Sequence, residues 1–497
     1  MQADLEGLTL RTMCASARQV RAGVAVRTIA FLLGASILAG APQVAAETLR
    51  QAMASAYRNN PRLDAERARL RATDEDVPRA LSGYRPRVSG STDAGLSRVE
   101  TRPSSASEGD TRPWGYSLTL SQTVFNGFRT TNSVDEAEAQ VRAGRQILKS
   151  VEQQVLLETV TAYADVVRDG AVVRIREANV NALNRELTVI EARRSAREVT
   201  RTDVAQARSR IARALSQQDL ARGNLKSSRA AFERAVGYAP SGLMPPRPPK
   251  SLLPRTLQEA LAIAEKENPT IVTALYRETA ERHGVARIRG ELLPEVRLEA
   301  SYGNRNGLTG GTDQQESATI TGRLSMPLYE GGETYARVRQ AKHKHVARLQ
   351  EIEQARQETQ ASVTQAWSRY QTTRARLRAD NMAVGSARIA LDGVREEERA
   401  GQRTVLDLLN AQQELLEAEV QVAQSKREVV VSAYGLLGEM GRLTVEEMAL
   451  TDRAYDAEVH YEGVRGRWFG LDITHANGHR EIIDVGTDAD PDWQLDE

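Results

Sequence analysis

The stretch LKSVEQQVLLETVTAYADVVRDGAVVRIREANVNALNRELTVI, Leu148 to Ile190, decides the reading of this chain. Leu148, Val155 and Ala162 fall seven apart, and Leu183 and Ile190 continue that register, while Val166, Val173, Val180 and Leu187 supply the register four residues on. These are the a and d seams of a coiled coil. The surrounding run, Phe128 to about Arg197, contains no proline and is weakened only by Gly144 and Gly170. A helix of that length reaches roughly 105 Å. Val151, Leu156, Val160, Tyr163, Val167, Val172 and Ile175 lie off the seam, so the helix is expected to pack against more than one neighbour. A second run of the same kind spans Glu333 to about Arg399.

Composition agrees with long solvated helices. Of 497 residues, 4% are aromatic and 27% charged, which is too little aromatic mass for a thick globular core. The formal net charge of +1 makes no case for nucleic acid. Arg11, Arg18, Arg21 and Arg27 precede an apolar run, Ile29 to Leu38, and Val44-Ala45-Ala46 offers small residues for cleavage before Glu47. Residues 1–46 therefore read as a signal peptide, since the apolar run is too short to span a bilayer comfortably. Cys14 lies inside that segment, so the mature chain is expected to lack thiolate chemistry, disulfides and an N-terminal lipid. Its loss moves the net charge to about −1.

The remainder is a duplication. Thr48-Leu49-Arg50-Gln51-Ala52 opens an amphipathic helix to about Ser82 carrying Asn60-Pro61, and Thr256-Leu257-Gln258-Glu259-Ala260 opens another carrying Asn268-Pro269, at an offset of 208. From Ser121 onward the offset is 204: Ala162-Tyr163 meets Ala366-Trp367, Asp203 meets Asp407, and Gly237 meets Gly441. Two copies of one unit follow, at 47–239 and 256–450, joined by a proline-rich connector at 240–255. Each copy holds two stretches of twofold period. In the first, strands are expected at about 87–98 and 116–125; in the second, at about 295–303 and 317–328. Tyr116, Leu118, Leu120 and Val124 mark one face, and Ile320, Leu324 and Met326 its counterpart. Each strand is near the length that crosses a bilayer when tilted. The residues leave two readings of these hairpins open, as soluble ribbons or as membrane strands. In lipid, four strands cannot close and copies must pool them; geometry alone does not fix how many.

The helix lengths suggest a cylinder. The segments of about 35 and 36 residues, Thr48–Ser82 and Thr202–Gly237, stack end to end to match Phe128–Arg197, and Thr256–Glu291 with Thr404–Met440 repeat the arrangement. The fold class is thus mainly α with a small β part, a duplicated helix–hairpin–long helix–helix unit. The tail, 451–497, carries twelve carboxylates against four arginines and reads as partly disordered at its end. His475 and His479 flank Asn477-Gly478, which signals a turn, and no metal site or cofactor is expected.

In this order of elements, and in the local signatures Arg201-Thr202-Asp203-Val204-Ala205-Gln206-Ala207 and Gly401-Gln402-Arg403-Thr404-Val405-Leu406-Asp407-Leu408-Leu409-Asn410-Ala411, the chain resembles the TolC family of bacterial outer-membrane efflux proteins over about Glu47 to Leu450. The resemblance implies a homotrimer with a twelve-stranded barrel in the outer membrane and a helical tunnel in the periplasm. It implies as partners a periplasmic adaptor, an inner-membrane pump and outer-membrane lipid. Both signatures fall at the tip far from the barrel, where the family closes its tunnel. Asp407 falls on the first of two acidic ring positions; the second is Asn410, so one carboxylate ring per trimer is expected. Arg403, Thr202 and Asp203 fall on latch positions, and Glu398 replaces a latch tyrosine within expected reach of Arg403. Asp203 and Asp407 also read as helix caps. A glycine at the tip is clear only at Gly401.

Two functions compete at this point. One is a passive export duct for proteins or small molecules, powered by its partners, since no Gly-rich phosphate loop ending in Lys-Ser/Thr is present. The other is a soluble periplasmic coiled-coil scaffold or adaptor. No clustered nucleophile, base and orienting group supports an enzyme.

Overall fold

A computed structural model of the chain describes residues 47–99, 109–307, 314–451, 454–475 and 479–482. The expected signal peptide, the tips of both strand hairpins, the Asn477-Gly478 turn and the last residues of the tail lie outside them. Each copy opens with a broken helix. In the first it is α1 (Leu49–Asn59), α2 (Pro61–Asp74) and α3 (Asp76–Leu81). The expected single helix is interrupted at Asn60-Pro61 because Pro61 has no N–H to continue the ladder. Asn60 instead starts α2, its side chain accepting from the Arg62 N–H at 3.0 Å.

Strands β1 (Arg87–Ala94), β2 (Ser97–Val99), β3 (Gly109–Thr111) and β4 (Trp114–Asn126) follow, then the long α4 (Arg129–Ser195) and α5 (Arg201–Val236). The second copy runs α6 (Leu257–Glu267), α7 (Pro269–Arg289), β5 (Glu295–Asn306), β6 (Gln314–Ser325), α8 (Glu333–Arg399) and α9 (Val405–Glu439). Both long helices are 67 residues, related by the offset of the duplication.

The helices form columns. α5 and α2 both pack on α4, and α9 and α7 both pack against α4 and α8. Each short pair is joined the same way. The Asn60 amide donates to the Ala235 carbonyl at 3.4 Å and the Asn268 amide to the Glu439 carbonyl at 2.8 Å, so an asparagine that starts one helix also closes the end of the helix below it. Around these joints sits the main core, where Met53, Leu156, Tyr163, Phe232, Leu436 and Met440 are fully buried. The connector crosses it and is pinned there, Tyr163 donating its hydroxyl to the Met244 carbonyl at 2.8 Å.

The strands form one antiparallel sheet in the order β1–β4–β5–β6, so the two hairpins are not separate ribbons. Register places Val88, Leu120, Ala300 and Ile320 in one row and Gly90, Leu118, Tyr302 and Ala318 in the next. Residues opposite each other in a ladder share a face. One face of the sheet is therefore apolar across these rows, with Ile320 79% exposed and a mixed row of Thr92, Tyr116, Asn304 and Glu316 beside them, and the other face carries Ser89, Thr119, Ser301 and Thr319. β5 and β6 begin or end beyond their expected bounds, at Asn306 and Gln314. β6 stops at Ser325, so Met326 is exposed beside the strand, not within it: Pro327 cannot donate to a ladder. Val124 sits at a bulge in β4.

The tail docks by its helix α10 (Ala457–Arg465) and ends, within the described residues, in the two-residue strands β7 (Ile473–Thr474) and β8 (Arg480–Glu481). His460 and Asp74, 3% and 1% exposed, meet at 2.8 Å to hold α10 on α2.

Strands turn into helices through a close backbone crossing. Gly127 has φ +64°, and a Cβ there would stand 2.2 Å from the Gly290 carbonyl oxygen. Gly127→Ala is expected to cost at least about 2 kcal/mol in an unfolding titration of the detergent-solubilised protein, from left-handed strain plus the clash. Below the sheet, burial pushes the Glu152 carboxyl up to about 7, helped by Glu446 and opposed by the Val445 N–H it accepts at 2.6 Å. The native state thus keeps a proton that the unfolded chain releases, and stability falls as pH rises from 4.5 to about 7. Glu152→Gln should recover on the order of 2 kcal/mol at pH 8 and nothing near pH 4, read from unfolding midpoints at both pH values.

Candidate functional site

At the end of α4 and α8 farthest from the sheet, about 100 Å along a helix of this length, the chain turns twice by the same device. Glu198 and Arg197 donate their N–H groups to the Arg193 and Arg194 carbonyls, each at 2.9 Å, and Gln402 and Gly401 do so to Glu397 and Glu398 at 2.8 and 2.9 Å. This closing motif needs a left-handed residue. Gly401 supplies it at φ +78°, and in the first copy Arg197 adopts φ +64°. The glycine missing from the first tip is therefore replaced by an arginine in the glycine's conformation.

The next helix starts with a capping box in both copies. Thr200 accepts from the Asp203 N–H at 3.2 Å while Asp203 accepts from the Thr200 N–H at 2.8 Å, and Thr404 with Asp407 repeats this at 3.2 and 3.0 Å. The Thr404 hydroxyl and N–H, with the positive charge of Arg403 nearby, hold the Asp407 carboxyl below the usual range. Both carboxylates are caps, and among the described residues neither forms an ion pair. Thr202 is exposed beside Asp203, and Asn410 is exposed a turn beyond Asp407.

The latch residues pair differently from the sequence expectation. Arg403 bonds Glu397 at 2.9 Å. Glu398, 7% exposed, points the other way and meets Arg193 of α4 at 2.5 Å. Adjacent helical residues point about 100° apart, so only one of the Glu397–Glu398 pair can reach the turn that carries Arg403. A second tie joins the copies: Arg210 of α5 donates to the Asn410 side-chain oxygen at 2.6 Å. Beneath them Val180, Ile190, Val204, Ala207, Val405 and Leu409 form a small core shared by α4, α5 and α9. Glu186 lies close by, its carboxyl raised by burial and by the charge of Glu398. Arg193 and Arg210 carry no local sequence signal, because their partners lie about two hundred residues away. The capping boxes were legible as Thr-x-x-Asp.

A profile of the outer membrane efflux protein family matches residues 38–238 and 260–442. The chain belongs to that family. Outer membrane efflux protein BepC of Brucella suis biovar 1 is 36% identical over 445 residues, covering 89% of this chain and 95% of that one. Alkaline protease secretion protein AprF of Pseudomonas aeruginosa is 26% identical over 70% of this chain and 73% of its own length. Among solved structures, the Campylobacter jejuni CmeC outer membrane channel superposes with a TM-score of 0.71 at 17% identity, covering 81% of this chain and 90% of that one. This efflux protein thus has the channel fold, and its place is the outer membrane.

Its tip is tied across the two copies by the Arg193–Glu398 pair. Arg193→Ala is expected to cost about 1–3 kcal/mol, because it strands a buried carboxylate. Adding Glu398→Gln should return most of that loss in a double-mutant cycle, whereas additive losses would show that the pair contributes nothing.

Proposed function

We propose that three copies of this chain pool four strands each into a closed barrel in the outer membrane and continue it as a tunnel of helices, forming a passive export duct. The observation that carries this reading is the four-stranded sheet with one apolar face and, at β1 and β6, an edge each that no described strand covers. In lipid each unpaired edge group costs several kcal/mol, so the sheet must meet another copy's. Residues 1–46 serve as the export signal. A periplasmic adaptor and an inner-membrane pump engage the helical tip and supply the energy.

The tip is the gate in this proposal. The Arg193–Glu398 and Arg210–Asn410 bonds hold neighbouring helices together, Arg403, Thr202 and Asp203 brace the turns, and Asp407 forms a single carboxylate ring. With Asn410 in place of a second carboxylate, cations bind the mouth weakly. Relatives named for efflux and for alkaline protease secretion support both small molecules and proteins as cargo classes, with the choice made by the pump.

Conductance of the detergent-extracted protein in a planar bilayer tests the reading. Small, cation-preferring steps are expected. Arg193→Ala combined with Arg210→Ala should enlarge them severalfold, and Asp407→Asn should reduce cation preference without enlarging them. A protein that stays out of detergent extracts and never conducts would instead be the soluble scaffold.

A further inference from the structure

Many arginines of this chain stand beside a carboxylate on a solvated helix face; in one concave site several cations gather without one. A groove of about 950 Å³ runs over α9 between α4 and α8 and is bounded by the connector around Pro245–Arg255. Val167, Ile175, Trp367, Leu377, Val422 and Val430 give it an apolar lining. Eight cationic side chains and one carboxylate, Glu419, also line it. Arg168 and Arg427 are neutralised by Asp165 and Asp169, Arg168 pairing with both and Arg427 with Asp165, each at 2.8 Å, and Glu419 is taken by Arg388 at 3.3 Å. The other six, Arg174, Lys250, Arg255, Arg374, Arg378 and Lys426, are exposed and make no ion pair among the described residues. Arg374 lies over the Tyr370 ring, 5.3 Å from its centroid, which holds the guanidinium at the groove wall.

Six like charges around one concave apolar surface repel each other and focus a positive potential into it. The volume is that of a small-molecule site, and the mixture of aromatic lining and convergent charge is what such sites present. We propose that this groove binds an amphipathic organic anion, its apolar body on Trp367 and Leu377 and its anionic groups on Arg374, Arg378 and Lys426. The groove is built within one chain, between helices of its two repeats, so all its lining residues come from a single chain. It stands apart from the tip and does not depend on the gate described there.

The test uses the full chain in non-ionic detergent with pyrenetetrasulfonate, a planar aromatic polyanion, followed by fluorescence anisotropy at low ionic strength. Binding should weaken by about tenfold or more in Arg374→Gln/Arg378→Gln/Lys426→Gln, and should fall steeply with added salt. A control of equal charge loss on exposed α5 positions, Arg201→Gln/Arg213→Gln/Arg229→Gln, should bind as the parent does. Quenching of tryptophan emission by the probe should vanish in Trp367→Phe. No binding by the parent, unchanged binding by the groove variant, or an equal loss in the control would overturn the site; circular dichroism of each variant confirms that it is folded.

Discussion

Every strand N–H and C=O that enters lipid must find a partner, and among the described residues of one chain two strand edges have none. Its sheet has four strands, apolar on one face and polar on the other, and both outer edges are open in a single copy. A soluble sheet can cover or charge an edge, but β6 presents Ile320 and Leu324 on a largely exposed strand. In the proposed barrel, association through the edges is therefore a condition of the fold in its membrane. The helices inherit that condition. The first strand pair feeds α4 through the Gly127–Gly290 crossing, so in the proposed barrel, closing the strands into a ring would set the helices on a ring as well.

The long helices have little reason to be straight or parallel on their own. Their hydrophobic seams are thin, and most of the buried volume lies at one level, where Tyr163, Phe232, Leu436 and Met440 meet the ends of the short helices. The asparagine joints there let two helices act as one column. Asn60 and Asn268 each cap the helix that follows them and bond the last carbonyls of the one beneath. A proline alone would only break the helix. The Asn-Pro pair makes the break a bearing surface.

Much of this was readable in the sequence, for physical reasons. Period 3.5 over many turns, period 2 over ten residues, Asn-Pro at a fixed offset and Thr-x-x-Asp at both turns are local, and the structure uses each locally. What the sequence could not show was pairing at long range. The joining of β4 to β5, the preference of Glu398 for Arg193 over Arg403, and the left-handed Arg197 depend on which surfaces come together. The end of β6 at Ser325 was local, and Pro327 should have fixed it.

The tip shows why a duplicated chain gains from divergence. At the offset of 204, Arg193-Arg194 corresponds to Glu397-Glu398, and Arg210 to Glu414. Had the copies stayed identical, their helix ends would bring like charges together, and two unit charges a few ångströms apart at a protein surface repel by about 4 kcal/mol. With opposite signs, the same juxtaposition of α4 and α8 becomes the Arg193–Glu398 pair. The caps have not diverged, because Thr200–Asp203 and Thr404–Asp407 act within their own helices and face no such conflict. The caps that serve one copy are thus repeated, while the Arg193–Glu398 contact between copies is complementary. At the tip the Arg193–Glu398 pair is the tie that reversed charge makes between the two turns, whereas Glu397, reversed as well, serves its own turn through Arg403.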